Sequence, residues 1–136
     1  MTDQKLNGFR VLIVEDEMMI AVDIEDTLKA LGCDVVGPIA SVKKALAVAT
    51  EETFDAAILD VTLRGELIFP VAERLVQRGI PFVLASGYAQ WALPEPMRVH
   101  PRLTKPFTTE ELETVVWVLF NKSSHPKAAA NQGQDL

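Results

Sequence analysis

Short apolar runs alternate with amphipathic stretches along this 136-residue chain. The runs occupy residues 9–14, 34–38, 54–60, 81–86 and 102–104, each flanked by glycine, proline or acidic residues. Runs this short and this continuously apolar fit strands covered on both faces. The stretches between them carry helical spacing. Over 18–31, Met18, Ala21, Ile24, Leu28 and Leu31 recur at three- and four-residue steps, Asp23, Glu25, Asp26 and Lys29 fill the opposite face, and Gly32 supplies a stop. Ser41 can cap a second helix to about residue 51, with Val42, Ala45, Leu46 and Ala49 as its stripe. A third spans 68–78, with Pro70 in its first turn and Gly79 at its end. The last spans 109–121. Thr108 stands three residues before Glu111, a capping-box spacing, and Leu112, Val115, Val116 and Leu119 form the stripe, with Trp117 and Phe120 placed outside it. Residues 87–101 hold Pro94, Pro96 and Pro101 and leave room for a turn or two of helix at most.

Strands alternating with single helices predict an α/β domain with a parallel sheet. For five strands the common arrangement is the flavodoxin-like order 2-1-3-4-5, with helices on both faces. The expected organisation is a short N-terminal extension at 1–8, one domain at 9–121, and a flexible polar tail at 122–136 that carries no output domain.

Composition narrows the function. With 13 Lys and Arg against 19 Asp and Glu, the net charge is −6, which argues against non-specific nucleic-acid binding. One cysteine, Cys33, excludes an intrachain disulfide framework or a multi-cysteine metal site and reads as a small buried hydrophobe. There is neither a membrane-length apolar run nor a leader pattern, so a cytoplasmic location is expected. Met18 and Met19 could form an adaptable docking patch, but their helical spacing predicts that at least one packs into the core. His100 and His125 have no second ligand nearby in sequence.

In such a sheet, ligands bind beyond the carboxyl ends of the strands. The polar residues fall there. The first run ends in Glu15 and Asp16, the third in Asp60, the fourth in Ser86 followed by Gly87, and the fifth in Thr104 followed by Lys105-Pro106. Three carboxylates close together stay ionised only if a cation compensates or one takes a proton. An all-oxygen donor set suits Mg²⁺, with Mn²⁺ possible. Lys105 adds positive charge, Ser86 offers a donor to an anionic oxygen, and Gly87 lets the backbone approach. The set suits a phosphoryl group in transfer, with a carboxylate as nucleophile.

From residue 10 to 121 the chain resembles the receiver domain of two-component response regulators. The motifs are Val-Leu-Ile-Val-Glu-Asp-Glu at 11–17, Ala-Ala-Ile-Leu-Asp at 56–60, Ala-Ser-Gly at 85–87 and Lys-Pro-Phe at 105–107. The resemblance implies that Asp60 accepts a phosphoryl group from the phosphohistidine of a sensor histidine kinase or a histidine phosphotransfer protein. It implies Mg²⁺ on Asp16, Asp60 and the backbone carbonyl of Thr62, with Glu15 acting through water. Ser86 and Lys105 would hold the phosphoryl oxygens, and the Lys105–Pro106 bond would be cis. Such a module is not an enzyme that turns over a free substrate. It signals by binding a downstream protein, or acts as a relay intermediate or sink.

Two departures from the family pattern stand out. The acid pair is Glu15-Asp16 in place of Asp-Asp, and Arg102 replaces the switch aromatic three positions before the lysine. Residues 81–88, Pro-Phe-Val-Leu-Ala-Ser-Gly-Tyr, instead resemble the single-domain subgroup whose fourth strand ends in Phe-Ala-Thr-Gly and an aromatic, the FATGUY type; Leu84 and Ser86 replace Phe and Thr. Tyr88 is then a candidate switch residue, and Arg102 another. Alternatives are a pseudo-receiver that binds partners without phosphorylation, and a Mg²⁺-dependent aspartyl phosphatase. The phosphatase needs a second Asp where Thr62 stands. A flavin carrier would need a phosphate-cradling loop where Glu15-Asp16-Glu17 stands.

Overall fold

The computed structural model describes residues 6–87 and 93–125. Five parallel strands, β1 (Arg10–Val14), β2 (Asp34–Ile39), β3 (Ala56–Asp60), β6 (Phe82–Ser86) and β7 (Arg102–Thr104), form one sheet in the order β2-β1-β3-β6-β7. A small antiparallel hairpin, β4 (Thr62–Leu63) and β5 (Glu66–Leu67), follows β3 and stands outside that sheet. With the hairpin set aside, the order is the expected 2-1-3-4-5 of a flavodoxin-like receiver fold.

Helices α1 (Met18–Ala30), α2 (Val42–Glu51), α3 (Phe69–Arg78) and α4 (Thr109–Lys122) cover the sheet. α2 and α3 pack together over one core, which holds Leu12, Leu59, Val71, Leu75 and Leu84. α1 and α4 pack over the other, which holds Phe9, Ile13, Ile24, Ile58, Val83 and Val116. Alternate residues of β1 and β3 therefore enter opposite cores, which is why these strands are apolar throughout. The caps follow the sequence. The Ser41 hydroxyl accepts the Lys44 N–H at 3.3 Å, Thr108 and Glu111 form a reciprocal capping box, and Gly79 ends α3 with φ 70°.

Some expectations are corrected. Met18 and Met19 are 78% and 81% exposed, so neither packs into the core; Ala21, Ile24 and Leu28 fill that stripe. Phe120 belongs to the core and lies edge-on to Phe9 at 5.1 Å, whereas Val115 is only partly buried. Leu6 is fully buried and its N–H donates to the Leu31 carbonyl. α4 runs to Lys122, and His125 packs beside Phe9 and Phe120. Between β1 and β2 the register shifts at Leu12/Val14. There Gly37 holds φ 97°, and a Cβ would sit 2.7 Å from the Ile13 carbonyl oxygen, so only glycine lets the backbones approach this closely. Cys33 is buried as expected, and burial, assisted by Asp34, pushes its thiol up to about 12.

Candidate functional site: an acidic cluster facing one lysine

Parallel strands end together, so the residues after β1, β3, β6 and β7 meet at one edge. Glu15 is held there by its backbone: its N–H donates to the Ile39 carbonyl at 2.9 Å. Its carboxylate is nearly enclosed, at 3% exposure, and one oxygen accepts the Glu17 N–H at 3.1 Å. Asp16, next in sequence, is exposed, and its Oδ2 accepts the Arg64 N–H at 2.9 Å. Asp60 closes β3 at 7% exposure. Carboxylate oxygens of Glu15, Asp16 and Asp60 all lie within 4.8 Å of one another.

Lys105 faces this group. Its Nζ stands 3.0 Å from Glu15 Oε1 and 3.3 Å from Asp60 Oδ2. The backbone fixes it there, because the Lys105 N–H donates to the Ser86 carbonyl at 2.9 Å. The following bond, Lys105–Pro106, is cis, as is Gly37–Pro38. Ser86 is buried at the end of β6, and Gly87 is exposed with open space where a Cβ would stand. Thr62 starts the hairpin two residues after Asp60, and its hydroxyl is enclosed without a partner among the described residues. Tyr88 lies outside the described residues. Arg102 lies on β7 and pairs in register with Leu84, away from the acids.

The electrostatics are unbalanced. Burial, and then the charge of Glu15, raise the Asp60 carboxyl to about 7, and Lys105 opposes them only in part. Burial works against the charged form of Lys105, but its hydrogen bond to Glu15 and the nearby Asp60 and Glu15 charges outweigh that, and its pKa moves up. Glu15 and Asp60 thus share the Lys105 ammonium, with the Asp16 carboxylate close beside them. An all-oxygen acidic set with this deficit of positive charge fits a hard divalent cation, with Mg²⁺ the natural match.

The hairpin was not legible as part of this site. Its turn, Arg64-Gly65, has φ 50° and 82°, and it delivers the Arg64 N–H to Asp16. The signal lay in Thr-Leu-Arg-Gly-Glu-Leu at 62–67, where glycine in a two-residue turn between short alternating segments marks a hairpin.

No family model matches the chain. Among solved structures, it is similar to SdrG from Sphingomonas melonis Fr1, at 43% identity over 83% of this chain and 97% of that one, with a TM-score of 0.74. The BeF3-activated conformation of SdrG aligns at 42% identity with a TM-score of 0.71. The chain belongs to the response-regulator receiver family. The receiver domain of the sensor histidine kinase PA1611 from Pseudomonas aeruginosa PAO1 shares the fold at 23% identity, over 84% of this chain and 98% of that domain, with a TM-score of 0.68. That structure has a magnesium ion coordinated in its active site cleft. Among curated relatives, the transcriptional regulatory protein PdtaR of Mycobacterium tuberculosis is 32% identical over 107 residues, 76% of this receiver and 52% of PdtaR. The chain thus spans about half the length of the curated relatives it matches. No helix among the described residues is long and apolar enough to cross a membrane.

Proposed function

We propose that this receiver accepts a phosphoryl group on Asp60 from the phosphohistidine of a sensor histidine kinase or a histidine phosphotransfer protein. The observation that carries the reading is the meeting of Glu15, Asp16 and Asp60 within 4.8 Å, with the Lys105 ammonium 3.3 Å from Asp60. A carboxylate oxygen of Asp60 forms the new O–P bond as the P–N bond breaks. The electron pair of that bond stays on the imidazole, which then takes up a proton. Mg²⁺ would be held by Asp16, Asp60 and the Thr62 carbonyl, with Glu15 acting through water, and when bound it would offset negative charge on the phosphoryl oxygens. Lys105 binds one phosphoryl oxygen and the Ser86 hydroxyl donates to another, while Gly87 leaves the loop backbone open to the group.

Exposed Met18, Met19 and Val22 form an apolar surface on α1, just after the acids. An adaptable surface there suits the protein that presents the phosphohistidine. Output is protein binding or onward relay, with no turnover of a free substrate, by a receiver of the FATGUY type acting in the cytoplasm. Intact-protein mass spectrometry with acetyl phosphate and Mg²⁺ tests the assignment. Wild type should gain the mass of one phosphoryl group and Asp60→Asn should gain none. Equal labelling of both proteins would overturn it.

A further inference from the structure

The three acids at the strand edge are not held alike. Glu15 and Asp60 are buried, and both pair with Lys105. Asp16 is exposed, and its carboxylate is fixed from 48 residues away, by the Arg64 N–H that donates to Oδ2 at 2.9 Å. That donor sits at a strained point. Arg64 has φ 50° and is the one non-glycine residue in the left-handed region among the described residues. An L side chain is disfavoured there, and such a conformation persists where its surroundings hold it. Gly65 follows at φ 82°, and the two close the hairpin, in which Leu63 pairs with Glu66 and Thr62 with Leu67. The base of the hairpin is firm. Leu63 is fully buried in the core beneath α2 and α3. The Val61 N–H donates to the Ala85 carbonyl at 3.0 Å, and the Ile68 N–H donates to the Val61 carbonyl at 2.9 Å. The turn therefore presents the Arg64 N–H to Asp16 from a fixed frame.

We propose that the 62–67 hairpin sets the cation selectivity of the acidic site: the Arg64 N–H holds Asp16 by Oδ2 and leaves one oxygen, Oδ1, for the cation, which favours Mg²⁺ over Ca²⁺. Mg²⁺ is small and demands near-octahedral geometry, whereas Ca²⁺ takes more oxygens and often both from one carboxylate. Glu15 adds to the restriction, because Oε1 faces Lys105 and Oε2 accepts the Glu17 N–H. Arg64 is a positioning residue, and it acts through its backbone. A hydrogen bond to a ligating carboxylate fixes the orientation in which that carboxylate meets the metal. The proposal deepens the reading of Glu15, Asp16 and Asp60 as the metal site and rests on it, but not on phosphoryl transfer to Asp60.

Titration calorimetry with MgCl₂ and with CaCl₂ tests it, on the full chain and two variants. Arg64→Pro removes the N–H, while a proline before Gly65 still closes a type II turn, which uses the positive φ that Gly65 already has. Arg64→Gly keeps the N–H and relieves the left-handed backbone. Wild type and Arg64→Gly should both prefer Mg²⁺. Arg64→Pro should bind Mg²⁺ about tenfold more weakly, with Ca²⁺ binding unchanged or tighter. Equal loss of both cations, undiminished Mg²⁺ binding by Arg64→Pro, or the same loss in Arg64→Gly would each overturn the proposal. A second measurement needs no variant. In ¹⁵N-labelled wild type the Arg64 amide should exchange slowly with and without Mg²⁺, and exchange at the rate of an open turn would overturn the proposal. Acetyl phosphate labelling of the same samples separates the two readings. Selective Mg²⁺ binding without Asp60 labelling sinks the phosphoacceptor proposal alone, and labelling with a selectivity that Arg64→Pro leaves unmoved sinks the hairpin proposal alone.

Discussion

At the amino-terminal edge of the parallel sheet, polar groups find partners inside the chain. Asp55 accepts the Arg10 N–H at 2.9 Å, and its Oδ2 lies 3.2 Å from His125 Nδ1. The imidazole packs at 5.6 Å and 5.9 Å from the rings of Phe9 and Phe120. At the carboxyl-terminal edge of the same strands, Glu15, Asp16 and Asp60 converge, and Lys105 pairs with Glu15 and Asp60. One edge is closed by mutual satisfaction. The other holds like charges together, and that conflict is relieved by a cation or a proton. A parallel sheet thus divides its labour: aromatic burial at one end stabilises the frame that holds repulsive groups in place at the other.

The largest expected effect breaks this comparison at its polar end. Asp60→Asn should abolish labelling by acetyl phosphate while leaving the fold intact, read by intact mass alongside circular dichroism. The next strikes the closed end. Phe120→Ala removes a buried ring that contacts Phe9 and Trp117, and should cost about 3–5 kcal/mol of stability in urea unfolding. Phosphorylation measured below the unfolding midpoint should persist, since the acids are held from the opposite edge.

A third prediction concerns pH. The Asp60 carboxyl titrates at about 7 in the folded chain and near ~4 when unfolded. Between those values the folded state keeps a proton that the unfolded chain gives up. This group's contribution therefore favours folding at low pH and is lost as pH rises through 7. Without divalent cations, Asp60→Asn should melt higher than wild type at pH 8. The gap should close toward pH 5, and it should narrow when Mg²⁺ binds the native wild type. Coincident melting curves across this range would show that the carboxylates are not in conflict. The smallest effect sharpens the closed end. His125→Ala should cost about 1 kcal/mol, through the lost Asp55 contact and ring packing, with no change in the labelling of Asp60.

The frame was readable in the chain because its signals are local. Apolar runs of strand length, the Ser41 and Thr108 caps and Gly79 each act within a few residues, and each formed the element expected of it. The carboxylate set was readable too, since parallel strands must end at one edge and Glu15, Asp16 and Asp60 terminate two of them. The same reasoning misplaced Met18 and Met19. They share the helical period of α1, but both side chains are exposed, and Ile20, Ala21, Ile24 and Leu28 make its packed surface. It also missed Leu6, whose N–H reaches the Leu31 carbonyl, and His125, whose ring packs beside Phe9, because no local period encodes contacts between residues so far apart in the chain.

By itself the sequence determined the alternation of strands and helices, the strand-end acids and the lysine opposite them, because those depend on short-range propensity and on a topology with few solutions. Only the tertiary structure decided that the Arg64 N–H braces Asp16, that burial beside Glu15 lifts Asp60 toward neutrality, and that the Arg102 Nη1 is enclosed without an acceptor among the described residues. Those three depend on which groups far apart in the chain exclude water from one another, and that is settled by packing.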